Sequence, residues 1–367
     1  GQAKADVRTL HRLLGMHRDG RSYRHGPDNP ISADLLIVDE ASMIDLPMMH
    51  RLLSALPDRT HLLLLGDPRQ LPSVDTGNVL ADLCAGDAGF STDFAAIAEP
   101  IIGEVEIASE PNKLTDAICE LKQSYRFSPD SGVGRLAENI ERGIDDAISA
   151  TDGSVTFSSA PKEEQLLDNW PGYLSCLQRG NTSAEVLLDV FEQARILCSR
   201  RGGSPGVESI NAAIESRLEK LELKKTDQNF YHGRPVLITR NDYNLELFNG
   251  DIGISVRLAE SDQHMVVFPD GRQYLASRLP EHETCFAMTV HKAQGSEFDR
   301  VVLILTEETN AESETLMSRE LLYTAATRAK QSILIYSPAD RWRTAISSSA
   351  SRASGMTAFL ELDGPLD

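Results

Sequence analysis

The chain has 367 residues, with 36 Lys and Arg against 55 Asp and Glu for a net charge of −19. That length outgrows one hydrophobic core and suits two domains, and 41% hydrophobic with 25% charged residues describes an ordinary globular composition. The acidic balance excludes nucleic-acid binding driven by overall charge and leaves open a local basic groove. No apolar run approaches the roughly 20 residues of a membrane span, so no membrane partner is expected. The opening "GQAKADVRTL" lacks the apolar core of a signal peptide and reads as mid-element, so the chain is expected to be a piece of something longer. Five scattered cysteines without a C-x-x-C pair argue against a disulfide framework or zinc site, and for a reducing, cytoplasmic setting.

In chain order, the first feature is a basic run over residues 7–26, with Arg8, Arg12, Arg18, Arg21, Arg24 and Tyr23. A solvated loop explains it as well as a nucleic-acid contact does. Two short apolar runs follow, "LLIV" (35–38) and "HLLLL" (61–65), flanking "IDLPMMHRLLSAL", whose apolar residues recur at helical spacing. Each run ends in polar residues or glycine, which is the layout of a parallel sheet whose strand ends build a site. Residues 86–116 turn irregular and read as a loop or linker. A second α/β unit contains "RILCS" (195–199), "CFAMTV" (285–290), "VVLIL" (301–305) and "SILIY" (332–336), with a helix over "GVESINAAIESRLEKLEL". Between them, residues 230–284 carry short strands with Asn-Gly and Asp-Gly turns, the texture of a small inserted β-barrel. The tail beyond Ser337, through "GMTAFLE", is expected to close with a helix.

Five stretches carry chemistry. "LLIVDEASM" ends an apolar strand in adjacent carboxylates, Asp39 and Glu40. A nucleoside triphosphatase needs one acid for Mg²⁺ and a second to orient and deprotonate water; a buried strand ending in a capping acid looks similar. "LLLLGDPRQLPSV" places Gly66, Asp67 and Gln70 after the next strand, where a glutamine amide can sense a γ-phosphate. "SYRF" supplies Arg126, and "LLYTAATRAK" presents Arg328 beside Thr324 and Thr327. Arginines suit the charge that develops on a transferring phosphoryl group, although one on a helix is usually a surface residue. "TVHKAQGSEFD" runs a strand into a polar loop with Thr289, His291, Lys292, Gln294, Gly295 and Glu297.

The ordered set "TLHRLLG", "VDEASM", "GDPRQLPSV", "QSYRF", "TVHKAQGSEFD" and "YTAATRAK" resembles the motifs of superfamily 1 DNA helicases over nearly the whole chain. Within that group, "DEASMIDLPMM" with "LFNGDIG" and "SRLPEHET" is most similar to the RecD-type subunits, the alpha chains of exodeoxyribonuclease V. The resemblance implies an α/β fold with two RecA-like (P-loop NTPase) parallel-sheet domains, ATP between them and single-stranded DNA across their top. The first domain, residues 1–112, would be incomplete; the second would comprise 113–229 and 285–367, with an SH3-like β-barrel inserted over 230–284. It further implies that Asp39 serves Mg²⁺, Glu40 is the catalytic base, and Gln70 senses the γ-phosphate. Arg126 and Arg328 would bridge to that phosphate, with Gly295 and Glu297 near the nucleotide. Thr9, His11, Thr289, His291 and Lys292 would face DNA. Movement from 5′ to 3′ and partnership with the beta and gamma chains of the exodeoxyribonuclease V complex are implied too; cutting would belong to a partner.

The sequence departs from that pattern in one place: it has no G-x-x-x-x-G-K-[ST] phosphate loop. "GMHRDGRS" (15–22) is a near miss with Gly15, Gly20, Arg21 and Ser22, but arginine replaces lysine and it follows "TLHRLLG" instead of preceding it. The intact acids and arginines favour a carboxyl-terminal portion of a longer helicase over a silent relative. Alone, the chain is expected to bind nucleotide poorly and hydrolyse almost none. Its first sheet is expected to show an exposed edge or a rearranged amino terminus. In the barrel, Tyr243 and Phe248 could stack on a base, although core packing suits Phe248 better. The rivals are a non-hydrolysing scaffold subunit, or an RNA or conjugative-relaxase helicase with the same motifs.

Overall fold

The computed structural model describes the chain except residues 1–5, 18–21, 74–75, 86–88, 110–113, 122–123, 125, 127, 129, 147–151, 181, 259–260, 262, 306–316 and 351–367. The described residues form two compact units, one within residues 1–123 and one over Ser124–Ala350.

In the first unit, α1 (Leu10–Leu14) starts at Thr9, whose hydroxyl caps the Arg12 amide. Strands β1 (Leu35–Val38) and β2 (His61–Leu64) pair in parallel, with Val38 level with Leu64. Helix α2 (Leu46–Ser54) links them; Asp45 caps it and Pro47 occupies its first turn, where a missing N–H costs nothing. Its inner face packs Met49 and Leu52 against Val38, Ala41 and Ile44, with Val79 and Leu80 of α3 (Val79–Leu83) closing this core. The other face of the pair is bare: Leu35, Ile37 and Leu63 are 56%, 53% and 46% exposed.

One expectation fails here. Within the stretch read as a linker lies α4 (Thr92–Ile102), with Ser91 capping the Phe94 amide. Its apolar residues do not mark one buried stripe, since Ala95 and Ala98 face inward while Ile97 and Ile101 are exposed, and Pro100 interrupts the pattern. Periodicity therefore gave no helical signal.

The second unit opens with α5 (Gly132–Arg142), β3 (Val155–Ser158), α6 (Pro171–Arg179), α7 (Ala184–Glu192), β4 (Ala194–Cys198) and α8 (Val207–Lys220). Five antiparallel strands follow: β5 (Pro235–Ile238), β6 (Ile252–Arg257), β7 (His264–Val267), β8 (Gln273–Leu275) and β9 (His282–Thr284), in the order β8-β7-β6-β5-β9. They enclose Val236, Ile238, Leu247, Val266 and Phe268. The chain then returns through β10 (Ala287–Thr289), β11 (Phe298–Ile304), α9 (Arg319–Ala326), β12 (Ala329–Tyr336) and α10 (Ala339–Ser347). A helix, α10, follows Ser337, whereas the closing segment with "GMTAFLE" lies outside the described residues.

The main sheet of this unit runs β10-β4-β11-β12-β3 with every pair parallel. Helices on its faces explain why β4 is buried at every residue, as a parallel strand requires. Trp170, Tyr173, Phe191 and Phe286 form its aromatic centre. Burial pushes the Cys198 thiol up to about 12 and the Cys285 thiol up to about 11, which leaves both unreactive at neutral pH. Among the described residues no helix is long and apolar enough to cross a membrane.

Candidate functional site

In a parallel sheet every strand delivers its last residue to the same edge, so β1 and β2 present their following residues side by side. The Leu65 amide donates to Val38 O (2.8 Å) and the Ala41 amide to Leu65 O (2.8 Å), stitching "DEAS" to "GDPRQ". Gly66 permits the approach: a Cβ there would stand 2.7 Å from Leu80 Cδ2 and 3.1 Å from the Ala41 and Ser42 nitrogens. Glu40 takes φ 52 and ψ 43, the left-handed region that a side-chain-bearing residue enters at a cost of roughly 1–2 kcal/mol. That turn separates the two acids. Asp39 is exposed and its Oδ1 accepts the Glu40 N–H at 2.9 Å. Glu40 is half-buried at the start of the 3-10 turn Ala41–Met43.

Across the edge, Asp67 organises its own loop. Its Oδ1 accepts the Arg69 amide (3.0 Å) and its Oδ2 accepts Gln70 Nε2 (3.4 Å), so Gln70 is held beside the strand end. Arg69 also reaches Glu120 Oε1 at 3.3 Å. Neither Asp67 nor Arg69 was assigned a role from sequence. Ser42, 3% exposed, has a buried hydroxyl without a hydrogen-bond partner.

This arrangement fits Mg²⁺. The ion keeps several waters and binds through one or two carboxylates plus substrate phosphates. An exposed Asp39 with one oxygen committed to the backbone is compatible with that demand.

The near-miss loop has different surroundings. It follows α1 rather than joining a strand to a helix; His17 N–H donates to Ser22 O (2.9 Å) and Met16 bridges to Tyr23. Gly20 and Arg21 lie outside the described residues. Tyr23 lies under the Arg51 guanidinium, 4.6 Å from ring centre to carbon. Thr9 serves as a helix cap, and His11 is exposed.

The second unit gathers its motif residues at opposite edges of one sheet. At the amino edge, before β11 and β12, Glu297 accepts Arg126 Nε (3.0 Å) on Oε2 and Lys330 Nζ (2.6 Å) on Oε1. The Lys330 hydrogen bond, then Arg126, hold the Glu297 carboxyl below its usual range. Arg126 also donates to Thr327 O (2.9 Å). Arg328, only 1% exposed, donates to Ser296 O (3.1 Å) and Thr324 O (3.2 Å), while its carbonyl accepts the Phe298 N–H (2.8 Å). An arginine at this place on a helix pattern is expected at the surface, but Arg328 is the buried pin between the two motif loops. Lys330 was missed; its place two residues after Arg328, as the second residue of β12, was the available signal.

At the carboxyl edge, Thr289 ends β10 level with Cys198 of β4. Val290 N–H bonds Cys198 O (3.1 Å), and the 3-10 turn His291–Ala293 follows, the Lys292 N–H donating to Thr289 Oγ1 (3.4 Å). Gly295, at φ +77, turns the chain back. Residues 290–297 thus pass from the carboxyl edge of β10 over β4 to the amino edge of β11, and Arg300 ends level with Ala194. In the inserted sheet Tyr243 is 58% exposed and Phe248 half-buried, their rings 6.1 Å apart edge to face.

With this geometry described, known proteins give the class. The AAA domain family matches residues 2–76, the UvrD-like helicase C-terminal domain residues 284–336, and the ATP-dependent RecD-like DNA helicase SH3 domain residues 208–268. The chain is a member of the superfamily 1 helicases, an α/β protein of RecA-like domains with an SH3-like insertion. Three relatives are similar along nearly all of it. The RecBCD enzyme subunit RecD of Haemophilus influenzae is 36% identical over 96% of this chain and 58% of its own length. That of Mycolicibacterium smegmatis is 36% identical over 97% and 59%. The ATP-dependent RecD2 DNA helicase of Deinococcus radiodurans is 29% identical over 96% and 42%. Within the superfamily the chain belongs to the RecD family, and it spans 58–59% of the length of its two RecBCD-subunit relatives cited here.

Proposed function

We propose that this chain is the motor portion of an ATP-dependent DNA helicase subunit that moves 5′ to 3′ on single-stranded DNA. It would be cytoplasmic and work with the beta and gamma chains of an exodeoxyribonuclease V complex in recombination and repair. The observation that carries the proposal is the stitching of Asp39 and Glu40 to the Gly66–Gln70 loop at one sheet edge. Asp39 would hold Mg²⁺, which would neutralise charge on the phosphates, and Glu40 takes the proton from the attacking water. Gln70 senses the γ-phosphate. Arg126 and Arg328 neutralise the charge that builds there, with Gly295 and Glu297 setting their loop; such arginines are worth about 10³–10⁵ in rate. Arg328 first has to leave its carbonyl partners, which makes it the gated member of the pair. Thr9, His11, Thr289, His291 and Lys292 meet the strand.

A phosphate loop supplies backbone amides and a lysine for the β- and γ-phosphates, and no such sequence occurs in these 367 residues. The chain by itself therefore hydrolyses almost no ATP. The test is DNA-stimulated ATP hydrolysis by this chain and by one carrying an upstream phosphate-loop region, each with and without Glu40→Gln. Activity confined to the longer chain and lost with Glu40→Gln supports the motor. A folded, nucleotide-binding longer chain without activity supports the second reading, a non-hydrolysing scaffold subunit, which the missing loop favours.

A further inference from the structure

The carboxyl edge of the second unit holds an ion-pair network that the motif residues alone do not explain. Glu283, on β9 of the inserted sheet, accepts Lys292 Nζ on Oε1 (2.8 Å) and Arg201 Nη2 on Oε2 (2.8 Å). Arg201 lies in the loop after β4 and reaches Glu208 at the start of α8 as well (3.1 Å). Two cations from two strand ends of the motor sheet are thus collected on one carboxylate of the insertion. Solvent reaches all three groups: the Arg201 side chain is 60% exposed, that of Lys292 31% and that of Glu283 24%.

Exposed pairs of this kind add little to stability, because water and salt screen them and ordering two long side chains has an entropic cost. The network is therefore poorly explained as a fastening. It is better explained by what a carboxylate resembles. Two acceptor oxygens on a single anionic centre present the same face to Lys and Arg as the two free oxygens of a phosphodiester. We propose that Glu283 occupies the position of a backbone phosphate while the strand is absent, and that Arg201 is a strand-contacting residue of this edge alongside Lys292. On binding, one phosphate replaces the carboxylate on both cations. Glu283 is left facing a polyanion, so it lowers affinity and makes release easier, a useful property in a protein that must let go of its track at each step.

The inference rests on the carboxyl edge being the strand-facing one, and the experiment separates the two claims. Binding of a fluorescent oligothymidylate is followed by anisotropy across a salt series, for this chain and for the longer chain with its upstream region. Wild type is compared with Lys292→Gln, Glu283→Gln and Arg201→Gln, each checked for an unchanged melting profile. Lys292→Gln should weaken binding, which tests the edge. Glu283→Gln should tighten binding about threefold to tenfold and steepen the salt dependence by about 0.7 in log–log slope. Arg201→Gln should weaken it by a similar factor and flatten the slope by about the same amount. If Lys292→Gln weakens binding while Glu283→Gln does not tighten it, the exchange is overturned and the edge stands. If Arg201→Gln leaves affinity and slope unchanged, its contact is overturned. If no version of either chain binds, or Lys292→Gln has no effect, the strand-facing edge itself is overturned, and the exchange with it.

Discussion

Arg126 and Glu297 are 171 residues apart in the chain, and Arg126 Nε lies 3.0 Å from Glu297 Oε2. Lys330 occupies the other oxygen of the same carboxylate. The segment that enters the second unit is thereby tied to the start of β11 and of β12, and the arginine expected to meet phosphate is pre-positioned by an acid of its own unit.

That pairing has a pH signature. The folded carboxyl of Glu297 sits below its unfolded value, so the stability it contributes is present above the unfolded pKa of about 4.3 and disappears as pH falls through the lower, folded value. Wild type and Glu297→Gln should therefore differ in acid unfolding above that range, and converge once pH drops below it. Both tryptophans, Trp170 and Trp342, are buried in this unit, so their fluorescence follows the transition.

Glu40 combines a strained backbone with a proposed chemical role, and the two can be pulled apart. Glu40→Gln keeps the left-handed turn and should change stability by no more than about 0.5 kcal/mol, while abolishing hydrolysis in a chain that carries a phosphate loop. Glu40→Gly removes the side chain and the strain together. It should match or exceed wild-type stability, by up to about 1 kcal/mol, and be equally inactive. Urea unfolding read by circular dichroism, beside an ATPase assay, checks both.

Gly66→Ala tests the contact between the two strand-end loops. The added carbon meets Leu80 Cδ2 at 2.7 Å and two backbone nitrogens at 3.1 Å, and only the leucine can give way easily. A loss of about 1–3 kcal/mol is expected, on the scale of overpacked cores. An early transition in circular dichroism, with tryptophan fluorescence unchanged, would assign the loss to the first unit.

For Arg328→Lys the expectation is a destabilised second unit. A lysine cannot span Ser296 O and Thr324 O as the guanidinium does, and a buried acceptor left without a donor costs about 1–3 kcal/mol. The tryptophan-monitored urea midpoint should fall accordingly. Any activity measurement on this variant has to be made well below that midpoint.

Much of this architecture was legible because parallel strands leave continuous apolar runs: "VVLIL" and "SILIY" mark the hearts of β11 and β12, which helices cover, and "LLIV" marks β1 to the residue although one of its faces is bare. The juxtaposition of the acids with the Gly66 loop followed from the same logic, since parallel neighbours end at one edge. Helix α4 was illegible because its apolar residues face outward as much as inward. The burial of Arg328 was illegible for another reason. Its partners are carbonyls, which every residue owns, so no side-chain pattern announces them. Glu283 and Arg201 are separated by 82 residues, and the pair forms only because the antiparallel sheet returns its last strand, β9, beside the parallel sheet.

The connection over residues 290–297 carries one more consequence. The strands it joins are held in register on β4, Thr289 level with Cys198 and Arg300 with Ala194, four residue steps or about 13 Å apart, and its ends are tied by Val290 to Cys198 and by Phe298 to Arg328. Most surface loops accept an extra residue at small entropic cost because their tips are free to bulge. This one behaves as a ruler. An insertion or deletion within it would move either Lys292 off Glu283 or Glu297 off Arg126 and Lys330, because both cannot be kept at another length. Variation in chain length among functional versions of this protein should accumulate elsewhere.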